Sequence, residues 1–312
     1  MNCTEQYVTE ISQKTGFIAN NVEKVIRLLD VLDFIFSKSS FRAALCLKGG
    51  TAINLVYTNL KRLSVDIDLD YHRHLDKDKA SIDRKLIIQE LDGYMNTEGY
   101  SISNKSRESA ILASRTYSYL GAFGNKDNIK VEINFIDRIS LYPIIFTTLN
   151  YFGKNIDVCI PQKEELYGMK IAALIDRSKP RDLYDVDYLF NHFSDIDLDT
   201  LRKSIIFYLS LDGVFNIDKK LLERLKEITE LAIRRELNPV LKKGEDFDSA
   251  KAVENAIVTL TNILTLSTKE SEYLKEFSKG NFDPALLFDK TVSARAKNHP
   301  MAKWRAFKIG NK

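Results

Sequence analysis

Three aspartates stand at alternate positions in the run Val65-Asp66-Ile67-Asp68-Leu69-Asp70-Tyr71. Strict alternation of apolar and acidic residues is the pattern of a β-strand, whose successive side chains point to opposite faces. Asp66, Asp68 and Asp70 therefore share one face, while Val65, Ile67, Leu69 and Tyr71 turn toward a core. Carboxylates crowded on one strand face repel one another and call for a cation among them. Mg²⁺ suits such a set, because it takes carboxylate oxygens and keeps positions open for water and phosphate. An edge strand kept acidic against aggregation carries the same pattern and is the competing reading.

The preceding segment favours the metal. Lys48-Gly49-Gly50-Thr51 stands between a short apolar strand and a helix. Two glycines there let successive backbone N–H groups converge on an anion, and Thr51 adds a hydroxyl. A Gly-Gly pair alone is an ordinary tight turn. Coupled to Asp66-Ile67-Asp68, it describes a phosphate cradle beside a metal site. Glu132 is the candidate third carboxylate: in Lys130-Val131-Glu132-Ile133-Asn134-Phe135 it shares the polar face of a strand with Asn134. Arg62 and Ser64 immediately precede the acidic strand. A guanidinium there can hold a phosphate bidentately or lie at the surface, and Ser64 shares the face of Asp66 if the strand begins that early.

A second group lies a hundred residues on. In the helix expected over 162–176, Lys170 shares a face with Leu166, Ala173 and Leu174, so it either snorkels to solvent or meets an anion. Pro180 suits the first turn of the next helix, and Asp182 its positive N-terminal end. Arg181 and Asp185, four apart, can form a surface pair.

Apolar periodicity places helices at 20–37 and 52–59, strands at 43–47 and 65–71, a helix at 79–97, and two or three strands between 101 and 135. Beyond Pro161 the periodicity is helical, over 162–176, 180–193, 198–210, 219–237, 249–267 and 269–279. An α/β part, 1–160, thus meets an all-helical part, 161–312, giving an α+β chain of two domains. A length of 312 residues accommodates both. A hydrophobic share of 44% and a charged share of 29% belong to a globular protein rather than a disordered one. No stretch approaches the roughly 20 apolar residues that span a bilayer. The three cysteines, Cys3, Cys46 and Cys159, form neither a disulfide framework nor a zinc cluster; a reducing, cytoplasmic setting is expected. The four histidines show no metal spacing. The net charge is only +3, yet from Lys290 onward there are seven basic residues and no acidic one.

The run Lys48-Gly49-Gly50-Thr51-Ala52 … Arg62-Leu63-Ser64-Val65-Asp66-Ile67-Asp68-Leu69 resembles the signature of the polymerase-β-like nucleotidyltransferase superfamily. More narrowly, it is similar to the AbiEii/AbiGii toxins of bacterial abortive-infection and toxin–antitoxin systems. A second block, Lys170-Ile171-Ala172-Ala173-Leu174 … Arg177 … Arg181-Asp182-Leu183-Tyr184-Asp185, resembles that family's later motif. The resemblance covers roughly the first two-thirds of the chain. It departs from the superfamily pattern in Thr51, where serine is usual, and in a longer spacer to Asp66; threonine keeps the hydroxyl.

The resemblance implies a polymerase-β-like N-terminal domain with a mixed sheet and a helical C-terminal domain that contributes Lys170 and Asp182 to the active cleft. It implies two Mg²⁺ held by Asp66, Asp68 and Glu132. Asp66, Asp68, Ser64, Lys170 and Asp182 form the catalytic set, and Gly49, Gly50, Thr51, Arg62, Lys170 and Asp185 the NTP-binding set. NMP would pass from NTP to an acceptor, RNA and plausibly a tRNA 3′ end, with growth arrest as the outcome and a cognate antitoxin as partner. The basic tail with Trp304 and Phe307 fits RNA contact, and equally a helix docked on the core. A small-molecule or protein acceptor, or a toxin that keeps the fold without catalysis, are the competing readings.

Overall fold

In the computed structural model, which describes residues 3–311, the alternating aspartates fall on β2 (Asp66–Tyr71), beside β1 (Leu45–Lys48). The sheet continues through β3 (Ser101–Ile102), β4 (Arg107–Glu108), β5 (Leu112–Leu120) and β6 (Lys126–Asn134). Its order is β1-β2-β6-β5-β3, with β4 also on β5. It is mixed: β2 and β6 run parallel, whereas β1–β2 and β5–β6 are antiparallel. Alternation sorts its two faces. Leu47, Ile67, Leu69, Ile129, Val131 and Ile133 are buried on one of them. Helix α4 (Lys77–Thr97) covers that face with Ile87, Ile88, Leu91 and Met95. Two tyrosine hydroxyls fasten it there: Tyr71 donates to Asp83 at 2.7 Å and Tyr117 to Asp92 at 2.6 Å.

The chain divides into two compact units. The first comprises Met1–Arg138, Ile145–Ile160 and Asn238–Glu245. Besides the sheet it holds α1 (Glu5–Thr15), α2 (Ala19–Asp33) and α3 (Gly49–Ala52). Thr4 caps α1, and Gly16 ends it in the left-handed conformation at φ 80°. The helix expected at 20–37 closes in a π-turn over Phe34–Lys38. That expected at 52–59 starts earlier, at Gly49, and runs on as a π-turn over Ile53–Tyr57. A hairpin, β7 (Ile145–Tyr151) and β8 (Lys154–Ile160), was not visible in the periodicity. Its two-residue turn puts Phe152 at φ 49° and Gly153 at φ 77°, as a primed hairpin turn requires. Cys46 and Cys159, distant in sequence, meet in this unit through their thiols. Both are free thiols, and the Cys159 Sγ also donates to the Leu45 carbonyl at 2.9 Å.

The second unit comprises Ile139–Ile144, Pro161–Leu237 and Asp246–Lys312. Its long helices are α5 (Lys163–Arg177), α6 (Pro180–His192), α7 (Leu198–Asp212), α10 (Ser249–Ile263), α11 (Thr268–Phe277) and α13 (Pro300–Gly310). Short ones are α8 (Lys219–Glu223), α9 (Glu230–Ala232) and α12 (Lys290–Ala296). The single helix expected at 219–237 is broken. Ile228 is extended at ψ 111°, and Thr229 then caps α9 through the Ala232 N–H. No helix among the described residues is long and apolar enough to cross a membrane.

Candidate active site

The polar face of the first unit's sheet carries a cross-strand row. Lys48 on β1 stands opposite Asp68 on β2, Asp68 is in register with Glu132 on β6, and Glu132 with Ser114 on β5. The next row pairs Asp66 with Lys130, and Lys130 with Thr116. Register therefore brings Asp66, Asp68 and Glu132 onto one surface of neighbouring strands.

Gly49, where β1 gives way to α3, has φ 69°, and a Cβ there would overlap the Asp68 carboxylate. Only a residue without a side chain lets this carboxylate lie against the turn. The N-cap of α3, Lys48, makes no side-chain cap of its own. Thr51 is fully buried. Its hydroxyl donates to the Asp66 carbonyl and lies 2.9 Å from the Ser64 Oγ. That hydroxyl fixes the start of β2.

Lysines answer the carboxylate repulsion. The Lys48 Nζ lies 2.5 Å from Asp70 Oδ1. Burial opposes the charge of Lys48, but Asp70, Asp137 and Asp68 outweigh it and hold the ammonium firmly protonated. Asp70 is thereby engaged within the fold as the ion-pair partner of Lys48. The Lys130 Nζ lies 2.7 Å from Glu132 Oε2. Burial again opposes the ammonium, while the Glu132 hydrogen bond and the charges of Glu132, Asp66 and Asp68 raise its pKa. Among the described residues no three carboxylate, imidazole or thiol groups converge as a ready cage. Asp66 and Asp68, half-exposed two positions apart on one face, do suit Mg²⁺, which binds through one or two carboxylates and otherwise keeps its waters. Glu132, in register with Asp68, offers a further carboxylate whose Oε2 is held by Lys130.

Arg62 is among the largest fully buried side chains, and its Nη1 donates to the Leu63 carbonyl at 2.9 Å. Surface exposure does not describe it: the enclosed guanidinium supports the chain entering β2.

In the second unit, Lys170 does not snorkel. Only 7% of its side chain is exposed, and its Nζ lies 2.8 Å from Asp182 Oδ1 and 3.2 Å from Asp185 Oδ2. Arg177 closes the cluster, with Nε 2.7 Å from Asp182 Oδ2 and 55% of its own side chain exposed. Burial alone would raise the Asp182 pKa, but Lys170 and then Arg177 overcome this and lower it to about 2. Asp185 is buried rather than part of a surface pair, and Arg181 donates instead to the Glu236 carbonyl at 2.6 Å. Spacing did not single out Lys48, Lys130 or Arg177 as ion-pair partners of these carboxylates, although Arg177 stands between Lys170 and Asp182. It also missed Glu165, fully buried on α5. Glu165 accepts the Leu141 and Tyr142 N–H groups and the Tyr208 hydroxyl. Burial, only partly offset by these donors and by Arg295, pushes its carboxyl up to about 7.

A glycine turn pressed on a two-aspartate strand, in a mixed α+β sheet followed by helices, defines a nucleotidyltransferase fold. Residues 30–257 match the family described as nucleotidyl transferase AbiEii toxin, type IV TA system, and the chain belongs to that family of toxin nucleotidyltransferases. MenT4, a nucleotidyltransferase toxin from Mycobacterium tuberculosis H37Rv, has a similar fold. The TM-score is 0.64 at 14% identity, over 98% of this chain and 99% of that one. No curated protein sequence matches the chain. With the family come NTP as substrate and an antitoxin as partner.

Proposed function

We propose that the protein uses Mg²⁺ and an NTP to nucleotidylate RNA, a tRNA 3′ end being the acceptor that best fits a toxin. The observation that carries the metal assignment is the placement of Asp66 and Asp68 against the side-chain-free turn at Gly49. These two aspartates would hold the metal, with Glu132 as a further carboxylate beside them. Bound there, Mg²⁺ supplies charge neutralisation for the triphosphate and for the attacking oxygen. The N–H groups of Gly49, Gly50 and Thr51 cradle phosphate oxygens, and Ser64 and Thr51 keep the start of β2 aligned. An acceptor hydroxyl forms its bond to the α-phosphorus as the bridging bond to the β-phosphate breaks. Pyrophosphate leaves, and the hydroxyl proton passes to a carboxylate of the β2–β6 face. Within the second unit, Lys170, Arg177, Asp182 and Asp185 form a charged group of their own, suited to an anionic ligand. Arg177 presents the exposed charge, and the two aspartates fix Lys170. In the cell, the outcome is growth arrest relieved by the antitoxin.

The test incubates the purified protein with each α-labelled NTP, Mg²⁺ and total cellular RNA. Label should enter an RNA species, vanish with chelator, and vanish in Asp66→Asn and Asp68→Asn. Retention of label in both variants would refute the metal assignment. Label entering protein or small molecules instead of RNA would move the acceptor to those classes.

A further inference from the structure

The last helix, α13, is docked by one side and bare on the other. On the docked side Ala302 is fully buried and the Arg305 Nε donates to the Leu211 carbonyl at 2.7 Å. Gly280, at φ 93°, lets the α13 backbone approach closely: a Cβ there would meet the Gly310 nitrogen at 2.9 Å and the Ala306 carbonyl at 3.1 Å. The helix is thus a seated element rather than a loose tail. Its opposite side presents Trp304, 42% exposed, and Phe307, 70% exposed, three residues apart. Cations flank the indole, with the Lys308 Nζ 4.9 Å and the Arg305 guanidinium 5.4 Å from its ring. Lys303 is exposed beside them. The sequence from Lys290 to the end contains no acidic residue, and Lys312 lies outside the described residues.

Exposed aromatic faces cost solvation, and an apolar protein partner would be met by a rim of mixed charge. A helix face whose exposed rings are flanked by its own cations and by no acidic residue of that helix matches instead a flexible polyanion with flat, stackable faces. We propose that the outer face of α13 is a docking surface for single-stranded RNA, Trp304 and Phe307 stacking on bases while Lys303 and Lys308 contact phosphates. This rests on RNA being the acceptor, and it assigns the protein a second contact with that RNA, sequence-tolerant because every base has a π-face.

Trp304 is the sole tryptophan of the sequence, so its fluorescence reports on this surface directly. Titrating the full-length protein with an unstructured oligouridylate should quench it. Phe307→Ala by quenching, and Trp304→Ala by anisotropy of labelled RNA, should each lose roughly 5- to 150-fold in affinity, the worth of one stacked base. Replacing Lys303 and Lys308 by Gln should lower the salt-dependence slope by about 1.4, at about 0.7 per single-strand contact. Since these side chains point outward, an unchanged melting temperature separates such losses from unfolding. Equal quenching by polyglutamate would overturn the proposal in favour of an acidic protein, as would unchanged RNA affinity in all the variants. If RNA is labelled while Trp304 remains unquenched, this surface fails and the acceptor assignment stands. If the α13 variants weaken binding but no RNA is ever labelled, the surface stands and the acceptor assignment fails.

Discussion

Gly49 and Asp68 lie so close at the end of the β1–β2 pair that residue 49 has no room for a β-carbon beside the Asp68 carboxylate. Gly49→Ala therefore meets two penalties, an alanine held at positive φ and a displaced carboxylate. A loss of about 1–3 kcal/mol in stability is expected from the backbone conformation. Nucleotidyl transfer should fall further than stability does, because Asp68 is moved. Urea unfolding beside single-turnover transfer measures both, and wild-type activity in a destabilised Gly49→Ala would show that the position of Asp68 is unimportant.

Asp66→Asn and Asp68→Asn should eliminate transfer with little change in unfolding midpoint. Both carboxylates are half-exposed and crowded by their own kind, so neutralising one relieves repulsion as well as removing an attraction to Lys130. A large drop in midpoint would mean that these groups serve the fold.

Lys48→Met should behave in the opposite way, leaving the buried carboxylate of Asp70 without its ammonium. Removing one member of a buried pair costs about 3–5 kcal/mol. Adding Asp70→Asn should restore much of this, since the stranded charge is then gone. Unfolding of the single and double variants tests the pair, and purely additive losses would contradict it.

Lys170→Ala should be judged on stability before kinetics. It takes the ammonium from two buried aspartates, of which Asp182 keeps Arg177, so a loss toward the lower end of about 3–5 kcal/mol is expected. The same cluster predicts acid sensitivity. Asp182 has a folded pKa of about 2 against an ordinary 3.8. Its contribution is complete above pH 4 or so and disappears as pH falls toward 2, amounting to about 2 kcal/mol. Asp182→Asn should flatten that limb of the stability–pH curve.

Glu165 predicts a slope of the other sign. Its carboxyl titrates near 7 when folded and near 4.5 otherwise, so the folded state binds more protons between those values. Stability should decline as pH rises from about 4.5 to about 7 and level off above. Glu165→Gln should abolish this slope while losing about 1–3 kcal/mol, because the amide NH₂ cannot accept from the Tyr142 N–H. Chemical denaturation across that range, wild type against variant, decides it.

Local periodicity determined a good deal by itself. The alternation at 65–71 made β2 and gave Asp66, Asp68 and Asp70 one face, because strand side chains alternate whatever surrounds them. The apolar stripe of 20–37 made α2, and Lys170 was marked as an anomaly on an apolar helical face. Tertiary structure decided the partners. That Asp70 belongs to Lys48, while Asp68 aligns with Glu132, follows from the β1–β2 and β2–β6 registers, which join residues far apart in the chain. That Lys170 meets Asp182 and Asp185 rather than solvent depends on how α5 and α6 pack, and the burial of Arg62 on the path of the chain before β2. Hairpin β7–β8 escaped notice although Ile156, Val158 and Ile160 alternate along β8, because β7 carries an apolar side chain, Phe146, on its exposed face as well as Leu149 on its buried one. The tail, read as either an RNA contact or a docked helix, became a helix with one docked side and one bare side. Spacing tells which residues share a face; only packing tells which face is covered, because covering is done by residues that the local sequence does not contain.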